Sequence, residues 1–267
     1  MEINSTLEHK WQNEPTVKIA IKSATPSGDL EEKPRAGFVW LGGFKSDMSG
    51  TKAEAMVEHA AQLNCSSLRF DYSGHGTSGG KFIEGTISRW VDESMKVLLA
   101  KTDGPQILVG SSMGGWIALR LAQELVSAGE NARLAGLLLI APAPDFTAEL
   151  MEPKFTKEHS ALMETQGYIE ELSEYSDEPN IITRALIEDG RNNLVLNSNL
   201  SFGVPIHILQ GMKDPDVPHT HALRLMESLP HDNAAITLVK EGDHRLSRDE
   251  DIALLKRTME NFFTEMA

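Results

Sequence analysis

Two apolar rhythms alternate along this chain, and their order sets the fold class. Short, mostly apolar runs recur at Ala36–Leu41, Ser67–Phe70, Pro105–Val109, Leu137–Ile140, Pro205–Leu209 and Ala234–Val239. Their length and content suit strands buried in a sheet. Between them, apolar residues return at helical spacing. The stripes are Ala53, Met56, Val57, Ala60 and Ala61; Ile87, Trp90, Val91, Met95 and Leu98; and Ile117, Leu121 and Leu125. Two more follow, Ala222, Leu225, Met226 and Leu229, then Ile252, Leu255, Met259, Phe262 and Phe263. Residues 16–22 alternate apolar and polar, as a half-exposed strand near a sheet edge does, and Pro26 to Pro34 reads as a polar turn region. Steady alternation of strand and helix predicts an α/β fold with a mostly parallel central sheet and helices on both faces.

The rhythm breaks at Pro142-Ala-Pro144-Asp145. From there to about Leu200 only helical fragments are legible, with no convincing strand. Residues 1–144 and 201–267 are therefore expected to form the core, and residues 145–200 a small helical cap inserted over the strand ends, where open α/β sheets place their ligands. The plainer alternative is a long helical connection. The segment holds 12 acidic side chains against Lys154, Lys157, Arg184 and Arg191, so eight of the chain's 14 net negative charges sit there. Such a cap should disfavour strongly anionic substrates at its rim.

At net charge −14 the chain is a poor partner for nucleic acid or anionic membranes. Its one cysteine, Cys65, rules out an internal disulfide and suits a reducing compartment. Met1–Lys10 carries Glu2 and Glu8 without an apolar core, unlike a signal or transit peptide, and no run reaches the roughly 20 apolar residues of a membrane span. A cytoplasmic location is the expectation; oligomeric state is left open.

The chemistry centres on Gly110-Ser111-Ser112-Met113-Gly114-Gly115, directly between the strand at Pro105–Val109 and the helix from Trp116 to Ala128. A strand becoming a helix within a few residues turns sharply, and glycines two residues either side of Ser112 leave the room for it. The strained turn would expose the Ser112 hydroxyl at the carboxyl end of the sheet, with the helix N-terminus facing any oxyanion formed there. A glycine-rich turn with a serine N-cap is the competing reading. Ser111 lacks the bracketing glycines.

A serine hydroxyl needs a base, and the base an orienting carboxylate. On such an elbow, acid and then base follow the serine in chain order. Asp214, first off the strand that ends in Gln210-Gly211, is expected as the acid, with Asp216 its rival. His244, in Glu241-Gly-Asp-His-Arg245 after the last strand, is expected as the base. His219 and His221 come too early in the order, and with Asp216 they lack a convincing metal-ligand set. Asp243 reads as local loop structure. Backbone amides of Met113 and of Phe44, the latter after Gly42-Gly43, should form the oxyanion hole. No metal or cofactor is expected. Gly74-His-Gly76-Thr-Ser-Gly79 has the letters of a dinucleotide fingerprint, yet no helix opens behind it, so its glycines read as a tight turn. Cys65 has no neighbouring activator in the sequence and reads as a small buried residue.

With these residues assembled, the chain resembles the α/β-hydrolase superfamily over essentially its whole length. Within it, the chain is most similar to the palmitoyl-protein thioesterase and mycophenolic acid acyl-glucuronide esterase family of serine hydrolases. The stretches that carry the likeness are Ser49–Ala53, Arg69–Gly74, Asp103–Trp116, Gly211–Asp214 and Asp243–Arg245. The resemblance implies hydrolysis of small-molecule carboxylic esters or thioesters, with Ser112 as nucleophile, Asp214 as acid and His244 as base. Acyl transfer or amide cleavage on the same three residues is the alternative, and a non-catalytic binding module the reading from another class. A dehalogenase or epoxide hydrolase would want a carboxylate at position 112.

Overall fold

In the computed structural model, residues 2–12, 14–25, 36–171 and 179–265 are described. An eight-stranded sheet is built from β1 (Glu2–His9), β2 (Val17–Ala24), β3 (Gly37–Leu41), β4 (Ser67–Phe70), β5 (Gln106–Ser111), β6 (Leu134–Ile140), β9 (Ile206–Gly211) and β10 (Ala234–Val239). Their spatial order is β1-β2-β4-β3-β5-β6-β9-β10. Pairing is antiparallel where β2 meets β1 and β4, and parallel from β4 through β10. Every residue of β3, β5 and β6 is buried, as central strands covered on both faces must be.

The helices α1 (Thr51–Gln62), α2 (Ile87–Lys101), α3 (Met113–Ser127), α6 (His219–Glu227) and α7 (Asp249–Glu265) cover the two faces. One core joins α2, α3 and α6 to the sheet through Trp90, Trp116, Leu121 and Leu225. The other joins α1 and α7 to it through Met56, Met259 and Phe262. Burial of this kind, at about 25 cal/mol per Å² of apolar surface, is what holds the layers together.

Two elements escape the apolar pattern. The edge strand β1 is polar and largely exposed, with Ile3 at 54%. It is held by its ladder to β2 and by Glu2, whose Oε1 accepts from Arg69 Nε and Nη2 at 3.1 and 2.8 Å. Between β6 and β9, where no strand was expected, β7 (Tyr168–Glu171) and β8 (Asn180–Thr183) form an antiparallel hairpin beside α4 (Lys157–Thr165) and α5 (Arg184–Arg191). Each strand has four residues and buries a single isoleucine, Ile169 or Ile182, so period-two alternation has no length in which to show. The turn expected over Pro26–Pro34 lies outside the described residues.

The segment after β6 is welded to the core at both ends. Asp145, fully buried at φ +56°, accepts from the amides of Val195 and Leu196, closing the base of the excursion. His221 Nε2 donates to the Pro144 carbonyl at 2.7 Å, and Trp116 Nε1 donates to the Asn193 carbonyl at 2.9 Å.

Candidate active site

Strand β5 delivers Ser112 to the C-terminal edge of the sheet, and α3 begins one residue later. Ser112 sits at φ 55°, ψ −119°, a conformation costly for a side-chain-bearing residue. Its surroundings over-determine it. Ser112 N–H donates to Ile140 O, and Ser112 O accepts from the amides of Gly115 and Ala143, all between 2.9 and 3.1 Å. A Cβ on Gly114 would stand 2.0 Å from Leu41 O, and one on Gly110 would stand 2.3 Å from Gly114 O. Glycine at both places is a steric condition for the elbow.

The residue expected as base, His244, comes from the loop between β10 and α7, and the expected acid, Asp214, from the loop after β9. His244 Nε2 lies 3.0 Å from Ser112 Oγ, and His244 Nδ1 lies 2.8 Å from Asp214 Oδ2. A carboxylate only accepts, so Nδ1 carries the imidazole proton and Nε2 is left to accept from the serine hydroxyl. Asp214 is itself locked: its Oδ1 accepts from the amides of Asp216 and Val217 at 2.9 and 2.8 Å. Asp214 thus makes an Asx-type turn with one oxygen and meets the histidine with the other.

The remaining candidates fall outside this chain of contacts. Asp243 Oδ1 caps Leu246 N–H within its own loop. His221 is buried against Pro144, and His219 opens α6. Asp214, Asp216 and His244 offer ligand atoms within 4.8 Å of one another. Both Asp214 oxygens and His244 Nδ1 are already taken by hydrogen bonds, so the donor set suits an orienting pair better than a cation. Cys65 is buried at 3% exposure.

The loop Gly42-Gly43-Phe44 runs directly beside the elbow: a Cβ on Gly43 would touch Ser112 Cβ at 3.4 Å. Ser46 holds this loop by donating Oγ–H to Gly43 O at 2.9 Å. Among the described residues, neither Phe44 N–H nor Met113 N–H donates to a protein acceptor, so both amides are uncommitted. The Phe44 ring packs edge-on against Phe82 at 4.8 Å and Phe146 at 5.9 Å, and Phe146 against Trp116 at 5.5 Å. An aromatic wall therefore flanks the Gly42–Phe44 loop.

Three supporting residues carried no signal in the sequence reading. Gln210, fully buried on β9, donates Nε2–H to Asp214 Oδ2 at 3.1 Å and to Val217 O at 3.0 Å. Asp71 accepts from Met48 N–H at 2.7 Å and from Thr77 N–H at 2.8 Å, joining the loop before α1 to the glycine turn. In that turn Gly76 has φ +46°, and a Cβ there would lie 2.1 Å from Asp71 Oδ2, so the fingerprint-like glycines serve packing. His75, boxed between Phe82 and Trp90, is driven down to a pKa of about 4 by burial and stays neutral.

A mostly parallel sheet wound on both sides by helices, with a strained serine on the β5–α3 turn and an aspartate and a histidine on later loops, is the arrangement of a class of hydrolase. The chain belongs to the alpha/beta hydrolase family, whose profile matches residues 38–254. Among its relatives, the mitochondrial palmitoyl-protein thioesterase ABHD10 of Mus musculus is 32% identical over 238 residues, covering 86% of this chain and 76% of that protein. Two solved structures are also similar. A protein of Agrobacterium vitis S4 described as a hydrolase has TM-score 0.93 and 49% identity, covering 98% of this chain and 99% of that one. The mouse alpha/beta hydrolase domain-containing protein 10 has TM-score 0.82 and 29% identity, covering 98% and 100%.

Proposed function

We propose that this hydrolase cleaves carboxylic esters or thioesters through an acyl-enzyme formed on Ser112. The observation that carries the reading is the relay Ser112 Oγ, His244 Nε2 and Nδ1, Asp214 Oδ2, at 3.0 and 2.8 Å. His244 Nε2 takes the hydroxyl proton as Oγ attacks the carbonyl carbon, and Asp214 stabilises the imidazolium. The carbonyl oxygen becomes an oxyanion held by the Met113 and Phe44 amides. Collapse expels the alkoxide or thiolate, which receives the proton from His244. Water then enters, gives its proton to the same nitrogen, and releases the carboxylic acid from Ser112.

Residues 145–200 act as a cap over this site, with residues 1–144 and 201–267 as the core. The support is positional: the excursion leaves β6 at the edge where Ser112 lies, is closed by Asp145 on the Val195 and Leu196 amides, and its Phe146 packs against Phe44. The aromatic wall favours an apolar acyl group, and the ABHD10 relative's name brings long-chain acyl thioesters into the trial panel. No described helix is long and apolar enough to cross a membrane. The compartment we propose is the cytoplasm, on the acidic charge and single buried cysteine, although the curated relatives are named as mitochondrial. Subcellular fractionation decides between the two.

The direct test is labelling with a fluorophosphonate probe, expected at Ser112 and lost in Ser112→Ala. Asp214→Asn should lower kcat on a p-nitrophenyl ester by on the order of 10³–10⁴. Undiminished turnover in Ser112→Ala would sink the mechanism.

A further inference from the structure

We propose that Lys52 is a positioning residue for this reaction: from the first turn of α1 its ammonium pins the loop that carries His244, by donating to the carbonyl oxygen of Arg245. The inference rests on the proposed role of His244 as base. Lys52 and Arg245 stand 193 positions apart, so this bond ties the histidine loop to a separate, rigid element. Several other bonds of the loop only shape it upon itself. Asp243 Oδ1 accepts from Leu246 N–H at 3.0 Å, Ser247 Oγ donates to the same Arg245 oxygen at 3.0 Å, and Gly242 N–H donates to Val239 O at 3.0 Å. The Lys52 bond holds the position immediately after His244, where a small displacement moves Nε2 away from Ser112 Oγ.

The charges around the ammonium suit a tether. Asp243 and Arg245 face it from the histidine loop, Asp214 from the loop after β9, and Asp251 from α7. Burial pulls the lysine down to about 8, and Arg245 adds to that, while Asp243, Asp251 and Asp214 oppose it. A lysine lowered in this way carries its charge below about pH 8 and loses it above. A neutral amine bonds a carbonyl more weakly and no longer attracts the three carboxylates. Activity should therefore fall as pH rises through that value, by a route distinct from titration of His244.

The experiment uses the full chain and its Lys52→Met, Lys52→Arg and Ser112→Ala variants. It measures kcat and KM on a short p-nitrophenyl ester and the rate of fluorophosphonate labelling, from about pH 6 to about pH 10. Lys52→Met is expected to lower kcat and the labelling rate roughly ten- to a hundredfold with KM unchanged, the effect of a slightly misplaced base. Lys52→Arg, charged throughout, should recover most of that loss and abolish the fall near pH 8. Wild-type kcat and labelling in Lys52→Met, or a lowered melting temperature with turnover per folded molecule intact, overturns the proposal. If Lys52→Met does not fold, an alkaline fall that persists unchanged in Lys52→Arg overturns it as well. An active Ser112→Ala would instead overturn the serine mechanism, so the two failures are separable.

Discussion

Gln210 Nε2 lies 3.1 Å from Asp214 Oδ2, the oxygen that also receives His244 Nδ1 at 2.8 Å. The amide's orientation follows from its neighbours, because Asp214 Oδ2, Gly211 O and Val217 O are all acceptors and only an NH₂ group serves them. Gln210→Leu should keep the volume and remove the donor. We expect kcat to fall by roughly tenfold with KM unchanged, and stability to drop by about 1–3 kcal/mol because buried acceptors lose their partner. Steady-state kinetics and urea unfolding check both. Unchanged kcat alongside lowered stability would mean that Gln210 braces the loop without orienting the acid.

This residue also marks where the sequence stops being informative. The fold was legible because buried parallel strands announce themselves: β3, β5 and β6 are buried throughout and mostly apolar. Ser112, Asp214 and His244 could be picked out because elbow glycines and strand ends place them in linear order. Gln210 is one polar letter inside a strand, and its partner lies four residues on in a loop whose path no local pattern states. Lys52 and Asp71 were hidden for the same reason, since their partners are long-range. The strands β1 and β7 failed differently. Their residues gain little from burial, and pairing with a neighbour, absent from any window of sequence, makes them strands.

The elbow glycines give a steric prediction. A methyl on Gly114 would need the Leu41 carbonyl to retreat from 2.0 Å, and Leu41 lies in a fully buried central strand that cannot yield. Gly114→Ala should therefore destabilise the fold by about 2–4 kcal/mol, or displace the loop carrying Phe44. Chemical denaturation measures the first outcome. In variants that still fold, the second shows as reduced acylation by an activated ester. Gly104 has open space at its Cβ position, though its φ of +65° strains any substitution, so Gly104→Asn is the milder control.

Asp251, at the start of α7, links stability to pH. Arg248 donates Nε–H and Nη2–H to its two oxygens, both at 2.8 Å, and the Arg248 amide adds a third bond. The side-chain hydrogen bond from Arg248 is the main reason its carboxyl titrates below the ordinary aspartate range, with burial opposing. A depressed carboxyl contributes stability that is fully present above the unfolded-chain value near 3.9 and disappears as pH falls through the lower folded value. Asp251→Asn should thus lower the melting temperature at neutral pH and narrow its gap to wild type below about pH 4. Parallel melting-temperature curves across the acid range would show that the pair contributes nothing.

Charge in the 145–200 segment bears on the leaving group. That segment carries eight net negative charges, and Glu149 and Glu152 are paired with Arg224 and Arg191 while Glu158, Glu164 and Glu170 lie on its exposed surface. If the segment covers the site, a leaving group bearing several phosphates must approach through a field of its own sign. A coenzyme A thioester should then show lower kcat/KM than a neutral thioester of the same acyl group. The difference should shrink with added salt, because the Debye length falls from about 10 Å at 0.1 M to about 3 Å at 1 M. Replacing Glu158, Glu164 and Glu170 by Gln should raise kcat/KM for the coenzyme A thioester at low salt and leave the neutral substrate unaffected. Equal kcat/KM for both thioesters at every ionic strength would place this charge away from the substrate's path.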